Sequence, residues 1–214
     1  MIPHEAFDDI VKELHRQPLQ QNAYRLKAGA GRSQTFGIVN RRGEPPDASR
    51  QNWIRPYLYH LLVEFGKKYV TEISWNSITC NQNYKSLPHK DKHNKGCSFI
   101  VGFGSYTGGE LKIYEGDLSG NHDIRHKPII HDFSKVTHST EPWEGTRYSL
   151  VFYNFWTPRL QPLPPFSVKQ EDGKWFFYRG ENKITKMIGI PHPLKGRKKT
   201  TIVKEIKDVQ IDFS

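Results

Sequence analysis

Cysteine is scarce: Cys80 and Cys97 are the only two in a chain of 214 residues. Two distant cysteines without an export signal predict reduced thiols in an intracellular protein, not a disulfide scaffold. Long apolar runs are missing too. No stretch approaches the roughly 18 apolar residues a membrane-spanning helix requires. Met1-Ile2-Pro3-His4-Glu5 has neither the basic start nor the apolar run of a signal peptide. Acidic residues are outnumbered, 22 Asp and Glu against 32 Lys and Arg, for a net charge of +10. Such an excess predicts a polyanionic partner, because cations that neutralise phosphates release counterions; the bland alternative is a soluble, basic surface. No internal repeat is present. What remains, 36% hydrophobic with 13% aromatic residues, suffices for one domain with a buried core.

Along the chain, Phe7, Ile10, Val11 and Leu14 recur at helical spacing, predicting an amphipathic helix over 4–17 that ends near Pro18. Residues 28–43 are rich in glycine and basic side chains, with a short strand over Thr35–Val39, and Pro45-Pro46-Asp47 marks a break. A second helix is expected from about Trp53 to Val70, with Pro56 tolerated near its first turn. The period then changes to two. Strands are predicted over Ile73–Cys80, Ser98–Phe103, Glu110–Tyr114, Pro128–Phe133 and Arg147–Phe155, with a turn at Gly108-Gly109 and a loop over Asp117–Lys127. Beyond Trp156, Pro158, Pro162, Pro164 and Pro165 form a connector to a possible strand over Lys174–Arg179 and a basic cluster, Lys195–Lys199. The expected fold is α+β but mainly β: an antiparallel double-sheet jelly roll, or double-stranded β-helix, with helices packed on one outer face. The expected division is a single domain over 1–157 and a basic C-terminal extension over 158–214.

Pro88 to Phe155 carries the chemistry. His89-Lys90-Asp91 is a His-x-Asp whose two side chains share one side of an extended segment. His138 follows about fifty residues later, and Arg147 nine residues beyond that. Two imidazoles and a carboxylate on one face of an octahedral metal, with three positions open, are the facial triad of non-haem Fe(II) oxygenases. Arg147 and Ser149 point the same way from one strand, a fork donor plus a hydroxyl suited to a carboxylate. His131 competes as the distal ligand, although a core histidine is the ordinary expectation in its apolar strand. His93 lines the pocket or the surface, and His122 and His126 fall in a turn-rich, solvent-exposed loop.

His89-Lys90-Asp91-Lys92-His93-Asn94, and above all His138-Ser139-Thr140-Glu141-Pro142 with Thr146-Arg147-Tyr148-Ser149-Leu150-Val151-Phe152-Tyr153, resembles the catalytic core of the TET/JBP family. These are Fe(II)- and 2-oxoglutarate-dependent dioxygenases that oxidise the 5-methyl group of methylcytosine or thymine in DNA. Gly108-Gly109-Glu110-Leu111 is similar to the intervening strand, and the match runs over roughly 74–155. The resemblance implies iron on His89, Asp91 and His138, with 2-oxoglutarate and O2 as co-substrates. It implies Arg147 on the distal carboxylate of 2-oxoglutarate with help from Ser149. Asn94 falls where an asparagine bonds the flipped base, and Tyr153 where an aromatic ring stacks on it; a turn-closing Asn94 and a core Tyr153 are the plain alternatives. Asn81, Asn83 and Tyr84 are candidates by position for the other end of 2-oxoglutarate. After Tyr153 the chain reads Asn154-Phe155-Trp156, without the histidine of the animal methylcytosine oxidases, and their Cys-rich zinc-binding region is missing. Both departures favour a compact microbial, viral or lower-eukaryote relative.

The implied activity converts 5-methylcytosine in DNA to 5-hydroxymethylcytosine; thymine, or an RNA base, is the nearest alternative. A stacked methyl group cannot reach buried iron, so double-stranded DNA must present a flipped base. Arg32, Arg41, Arg42, Lys92, Lys95, Arg197, Lys198 and Lys199 are candidates for the DNA backbone. A prolyl- or lysyl-type protein hydroxylase is the first rival and a non-catalytic, metal-binding jelly-roll module the second. A monomer is expected, located in the nucleus of a eukaryote or otherwise in the cytoplasm or a virus-infected host cell.

Overall fold

The structure, a computed structural model, describes residues 1–21, 29–39, 47–155, 166–179, 181–183, 186–188 and 203–205. A 3-10 turn (His4–Phe7) leads into α1 (Asp8–Arg16). Then come β1 (Gly29–Val39), β2 (Asp47–Ala48), α2 (Arg50–Ile54), α3 (Pro56–Tyr69) and β3 (Ser77–Ser86). After these the chain is strands alone: β4 (Ser98–Gly108), β5 (Leu111–Ile113), β6 (Gly120–His122), β7 (Ile129–His131), β8 (His138–Thr140) and β9 (Trp143–Tyr153). The last described elements are β10 (Phe166–Glu171), β11 (Lys174–Arg179), β12 (Asn182–Lys183), β13 (Lys186–Ile188) and β14 (Val203–Glu205).

The antiparallel main sheet runs β2-β1-β3-β9-β4-β7, and a smaller sheet, β6-β5-β8, faces it. Alternation along each strand decides which face sees what. Phe36, Ile78, Cys80, Phe99, Val101, Phe103, Tyr148, Leu150 and Phe152 join Phe7, Ile10 and Leu14 of the N-terminal helical segment and Leu58, Leu62 and Phe65 of α3 in one core. Phe7 stacks on Phe103 at 4.7 Å, and Phe103 on Tyr148 at 5.2 Å. The other face meets the small sheet through a second core of Ile100, Leu111, Ile113, Ile124, Phe133 and Val136. This is the expected jelly roll, with α1 and α3 on the outer face of the main sheet.

Several element bounds differ from the sequence expectation. The single helix over 53–70 is two: Arg55 leaves helical geometry at φ −132°, ψ 61°, and Pro56 starts α3. A residue before proline disfavours the α region. Arg55 instead turns inward, 3% exposed, with its guanidinium on the Gln17 carbonyl and Gln34 and 3.7 Å from Glu13. β1 is far longer than Thr35–Val39 because it pairs with β3 from Gly29↔Ser86 to Gly37↔Ser77. The glycines that looked like loop signals are packing requirements. At Gly31, where φ is +128°, a Cβ would stand 2.2 Å from the Asn83 carbonyl oxygen at the bulge. Asp117–Lys127 is not all loop, since β6 pairs with β5 inside it. β10 lies against α3. The Pro158–Pro165 connector and the Lys195–Lys199 cluster lie outside the described residues.

The predicted strand over Ile73–Cys80 starts late, at Ser77, and runs on through Asn81–Tyr84. Asn76 sets that start. It is 5% exposed, its Nδ2 donates to the Phe155 carbonyl at 2.9 Å, and its Oδ1 accepts from Phe155 N–H at 2.8 Å and Ser77 Oγ at 2.9 Å. The side chain thus completes the ladder where β9 ends. Asn76→Ala strands both backbone groups of Phe155 in the core, a loss of about 2–4 kcal/mol of unfolding free energy. Urea titration of the two proteins measures it, and a difference near zero would show that the clamp adds nothing.

Candidate metal centre

β8 and the loop after β3 bring the histidines together through the backbone. His89 and His138 form an antiparallel bridge, with His89 N–H on the His138 carbonyl at 3.1 Å and the reverse bond at 3.0 Å. Directly opposed residues project to the same side, and the two rings lie 4.4 Å apart. Asp91, tied through its N–H to the Phe133 carbonyl at 2.9 Å, adds a carboxylate 3.4 Å from His89 Nε2 and 3.9 Å from His138 Nε2. One donor atom from each of the three lies within 4.8 Å of the others. An ion about 2 Å from each atom fits that triangle with small adjustments.

The protonation pattern suits a cation. His89 Nδ1 donates to the Leu87 carbonyl at 2.7 Å and His138 Nδ1 to the Val136 carbonyl at 3.3 Å. A carbonyl only accepts, so each Nδ1 carries the proton and each Nε2 presents its lone pair. Burial pushes the His138 pKa down, against the pull of Asp91, which favours the neutral ligand form. Asp91 is held as well: Asn94 Nδ2 donates to its Oδ2 at 3.2 Å and to Ser98 Oγ at 3.0 Å. The amide N–H pair of Asn94 is therefore committed to supporting the carboxylate.

A cavity of about 700 Å³ opens from these residues between the two sheets. The main sheet contributes Ser33 and Thr35 of β1, Thr79 and Asn81 of β3, and Arg147, Ser149, Val151 and Tyr153 of β9; Leu111, His138 and Thr140 come from the small sheet. Thr79 Oγ1 links to Thr35 Oγ1 at 3.0 Å and to Tyr153 Oη at 3.4 Å. Tyr153 is therefore a half-buried member of the wall.

Arg147 is the unusual charge here. It is 3% exposed, and among the described residues no carboxylate pairs with it. Its Nε donates to the Gly109 carbonyl at 3.0 Å, and its guanidinium carbon lies 5.6 Å from the Tyr106 ring and 5.8 Å from that of Trp143. The Tyr106 side chain and, at longer range, Glu110 add favourable interactions with the guanidinium. Burial lowers its pKa, yet arginine stays charged at neutral pH. A desolvated cation with no ion-pair partner among the described residues is under-compensated, and a carboxylate is the group that completes it. Ser149 Oγ, on the same wall, accepts from Asn81 Nδ2 at 3.1 Å.

Other expected residues are placed elsewhere. Asn83, a candidate for the keto-acid end of 2-oxoglutarate, sits at φ +46°, and its Oδ1 accepts from Arg147 N–H at 2.8 Å. It replaces a missing ladder bond just past the end of β3–β9 pairing and positions Arg147; Asn81 and Tyr84 do line the cavity. His131 pairs with Ser98 and lies edge-on to Phe133, outside the triad. His93 lines the mouth, and His122 bonds the Leu118 carbonyl. His126, expected to be exposed, stacks on Phe7 at 5.2 Å. Of the cations, Lys92 is exposed at the cavity mouth, Lys95 is exposed nearby, and Arg32 is exposed with Nη1 on the Leu19 carbonyl. Arg41, Arg42, Arg197, Lys198 and Lys199 lie outside the described residues. Sequence reasoning missed Ser33 and Thr35, whose strand enters the site from far upstream. It also missed Tyr106 and Trp143, which fall just outside the strands expected over Ser98–Phe103 and Arg147–Phe155.

No family model matches the chain, and no curated protein matches its sequence. Among solved structures, NgTET1 in complex with 5mC DNA is similar at a TM-score of 0.54 and 13% identity, over 75% of this chain and 72% of that one. A Pseudomonas putida prolyl-4-hydroxylase aligns at 0.45 and 13%, over 73% and 89%. An oxidoreductase of the 2OG-Fe(II) oxygenase family from Burkholderia pseudomallei aligns at 0.43 and 15%, over 68% and 75%. The likeness to the first of these is one of fold, the jelly roll whose two sheets enclose the candidate centre.

Proposed function

We propose that this protein is an Fe(II)- and 2-oxoglutarate-dependent dioxygenase that hydroxylates the 5-methyl group of a pyrimidine in DNA, with 5-methylcytosine as the preferred base. One observation carries the chemistry: His89, Asp91 and His138 open onto the same cavity as the buried guanidinium of Arg147, which has no carboxylate partner among the described residues. The donor set, two neutral imidazoles and one carboxylate, fits Fe(II) with positions to spare. Iron bound there, with 2-oxoglutarate and O2, supplies the oxidising power that turns a methyl group into hydroxymethyl and releases succinate and CO2. The protein binds and orients. Nδ1 bonds to backbone carbonyls hold the imidazoles, and Asn94 with Ser98 holds the carboxylate. Arg147 and Ser149 anchor the co-substrate, while Ile100, Leu111 and Ile124 limit water.

Three features support a base on DNA as substrate. The net charge is +10, and Lys90, Lys92 and His93 are exposed where they line the cavity. Among the described residues Asp91 is the sole carboxylate in that lining, so a lysyl ammonium would find no counter-charge there beyond the metal ligand. The structure of similar fold was determined with 5mC DNA. In this assignment Tyr153 stacks on the flipped base, and the Asn94 carbonyl oxygen, its amide hydrogens being committed, accepts from the exocyclic amine. Residues 1–157 form the dioxygenase domain of an intracellular monomer, and 158–214 its basic extension.

The test is nucleoside mass spectrometry after incubation with Fe(II), 2-oxoglutarate and duplexes carrying 5-methylcytosine, or thymine alone, beside peptide substrates. Hydroxymethylcytosine, formed in step with succinate, is the expected product. Succinate driven by peptides, with every base unchanged, would transfer the enzyme to protein hydroxylation.

A further inference from the structure

Glu115 follows β5 and lies outside the cavity lining, yet it touches both segments that carry the metal ligands. Its Oε1 accepts from Thr137 N–H at 2.8 Å and from Thr137 Oγ1 at 3.0 Å, and Lys90 Nζ lies 2.8 Å from the same oxygen. Lys90 stands between His89 and Asp91, and Thr137 immediately precedes His138. His89 and His138 form an antiparallel bridge, in which the next residue of one segment stands opposite the preceding residue of the other. Lys90 is thereby set against Thr137, and one carboxylate oxygen takes three donors from the two members of that pair. Lys90 Nζ also donates to the Lys135 carbonyl at 2.7 Å, and Tyr114 N–H to the Thr137 carbonyl at 3.0 Å. Beyond the bridge on its other side, Ser86 Oγ meets Thr140 Oγ1 at 3.1 Å. The Lys90 and Glu115 side chains are 37% and 48% exposed and belong to neither hydrophobic core. A pair so exposed adds little to global stability; its effect is local.

We propose that Glu115 is a positioning residue for the metal centre, holding His89 and Asp91 in place against His138 through Lys90 and Thr137. The assignment rests on the function proposed above, in which the triad binds a divalent metal. Donor atoms from two distant segments must converge on one ion. The backbone bridge joins those segments at His89 and His138, and the Glu115 tie lies one residue nearer Asp91, the ligand outside that bridge. Partners placed behind the ligands in this way set the geometry that the ion meets.

The experiment is calorimetric titration of Mn(II) into the full chain, comparing wild type with Glu115→Ala, Glu115→Gln and Lys90→Met. Glu115→Ala should raise the dissociation constant about tenfold, with the melting temperature of the metal-free protein unchanged to within about 2 °C. Glu115→Gln, which keeps an acceptor oxygen for Thr137 and Lys90, should restore most of that affinity. Lys90→Met gives the decisive sign. Deleting a cation beside a divalent ion strengthens binding by Coulomb's law, whereas losing the brace weakens it, and a raised constant is the expected result. Tighter Mn(II) binding in Lys90→Met, or Glu115→Gln as weak as Glu115→Ala, would show that charge and not the brace matters, and would overturn the assignment. Wild-type protein that binds no Mn(II) refutes the metal centre itself, and this assignment with it. Normal wild-type binding with an unaltered constant in Glu115→Ala refutes the assignment alone.

Discussion

Asp91→Ala yields a folded protein that neither retains a divalent metal nor turns over 2-oxoglutarate. The fold survives because the Asp91 side chain is partly exposed in the loop after β3 and belongs to neither hydrophobic core. Its side-chain bond to Asn94 is lost, but Asn94 keeps Ser98 and its backbone bond to the Asp91 carbonyl. Metal binding fails for a charge reason. The carboxylate is the only anion in the set, and two neutral imidazoles alone hold a divalent ion far less firmly. Proton competition does not account for the loss. Asp91 raises the His138 pKa, which burial has already lowered, so removing it makes His138 still harder to protonate. Near neutral pH the His138 imidazole of the variant therefore remains available. Electron paramagnetic resonance of added Mn(II), followed beside succinate release, reads both effects. Normal Mn(II) retention by Asp91→Ala would place the metal elsewhere and remove the basis of the proposed chemistry.

The second large effect is at the other end of the cavity. Arg147→Lys should raise KM for 2-oxoglutarate by roughly 100-fold or more, since up to two charge-assisted bonds are lost at about 1.5–3 kcal/mol each. Lysine keeps the charge but offers a point instead of a planar fork, and its shorter reach abandons the Gly109 carbonyl and the Trp143 and Tyr106 faces. A positional companion separates geometry from charge. Gly109 has φ +71°, and a Cβ there would stand 2.8 Å from Arg147 Cδ and 2.9 Å from Nε. Gly109→Ala therefore shifts the guanidinium without deleting it, and KM should rise by about 10-fold while Mn(II) affinity stays at the wild-type value. Succinate release as a function of 2-oxoglutarate concentration gives both constants. Wild-type KM in Arg147→Lys would mean that the co-substrate carboxylate is anchored by other groups.

Much of the centre was legible because its signals are local. The period-two spacing of His89 and Asp91, and of Arg147 and Ser149, fixes which side chains share a side before any tertiary contact forms. The nearly continuous apolar run over Ser98–Phe103 and the strand expected over Arg147–Phe155 likewise marked two neighbouring strands of the main sheet, now paired through Phe99↔Phe152. Illegible were the parts set by partners. The length of β1 follows from β3, not from its own glycine-rich sequence. The role of Asn83 depends on where the β3–β9 ladder stops. Asn94 could be read as a turn or a base contact, and its proximity to both Asp91 and Ser98 depends on how that loop closes.

Composition and spacing thus determined the class of fold, the His89–Asp91 pair and the Arg147–Ser149 pair, because each depends on residue type and on a repeat within one segment. Tertiary structure alone decided that His138, not His131, meets His89. It also brought β1 into the cavity wall and set Tyr106 beside Arg147. These outcomes depend on strand register between segments distant in sequence, and a one-residue slip would turn each of these side chains to the opposite face.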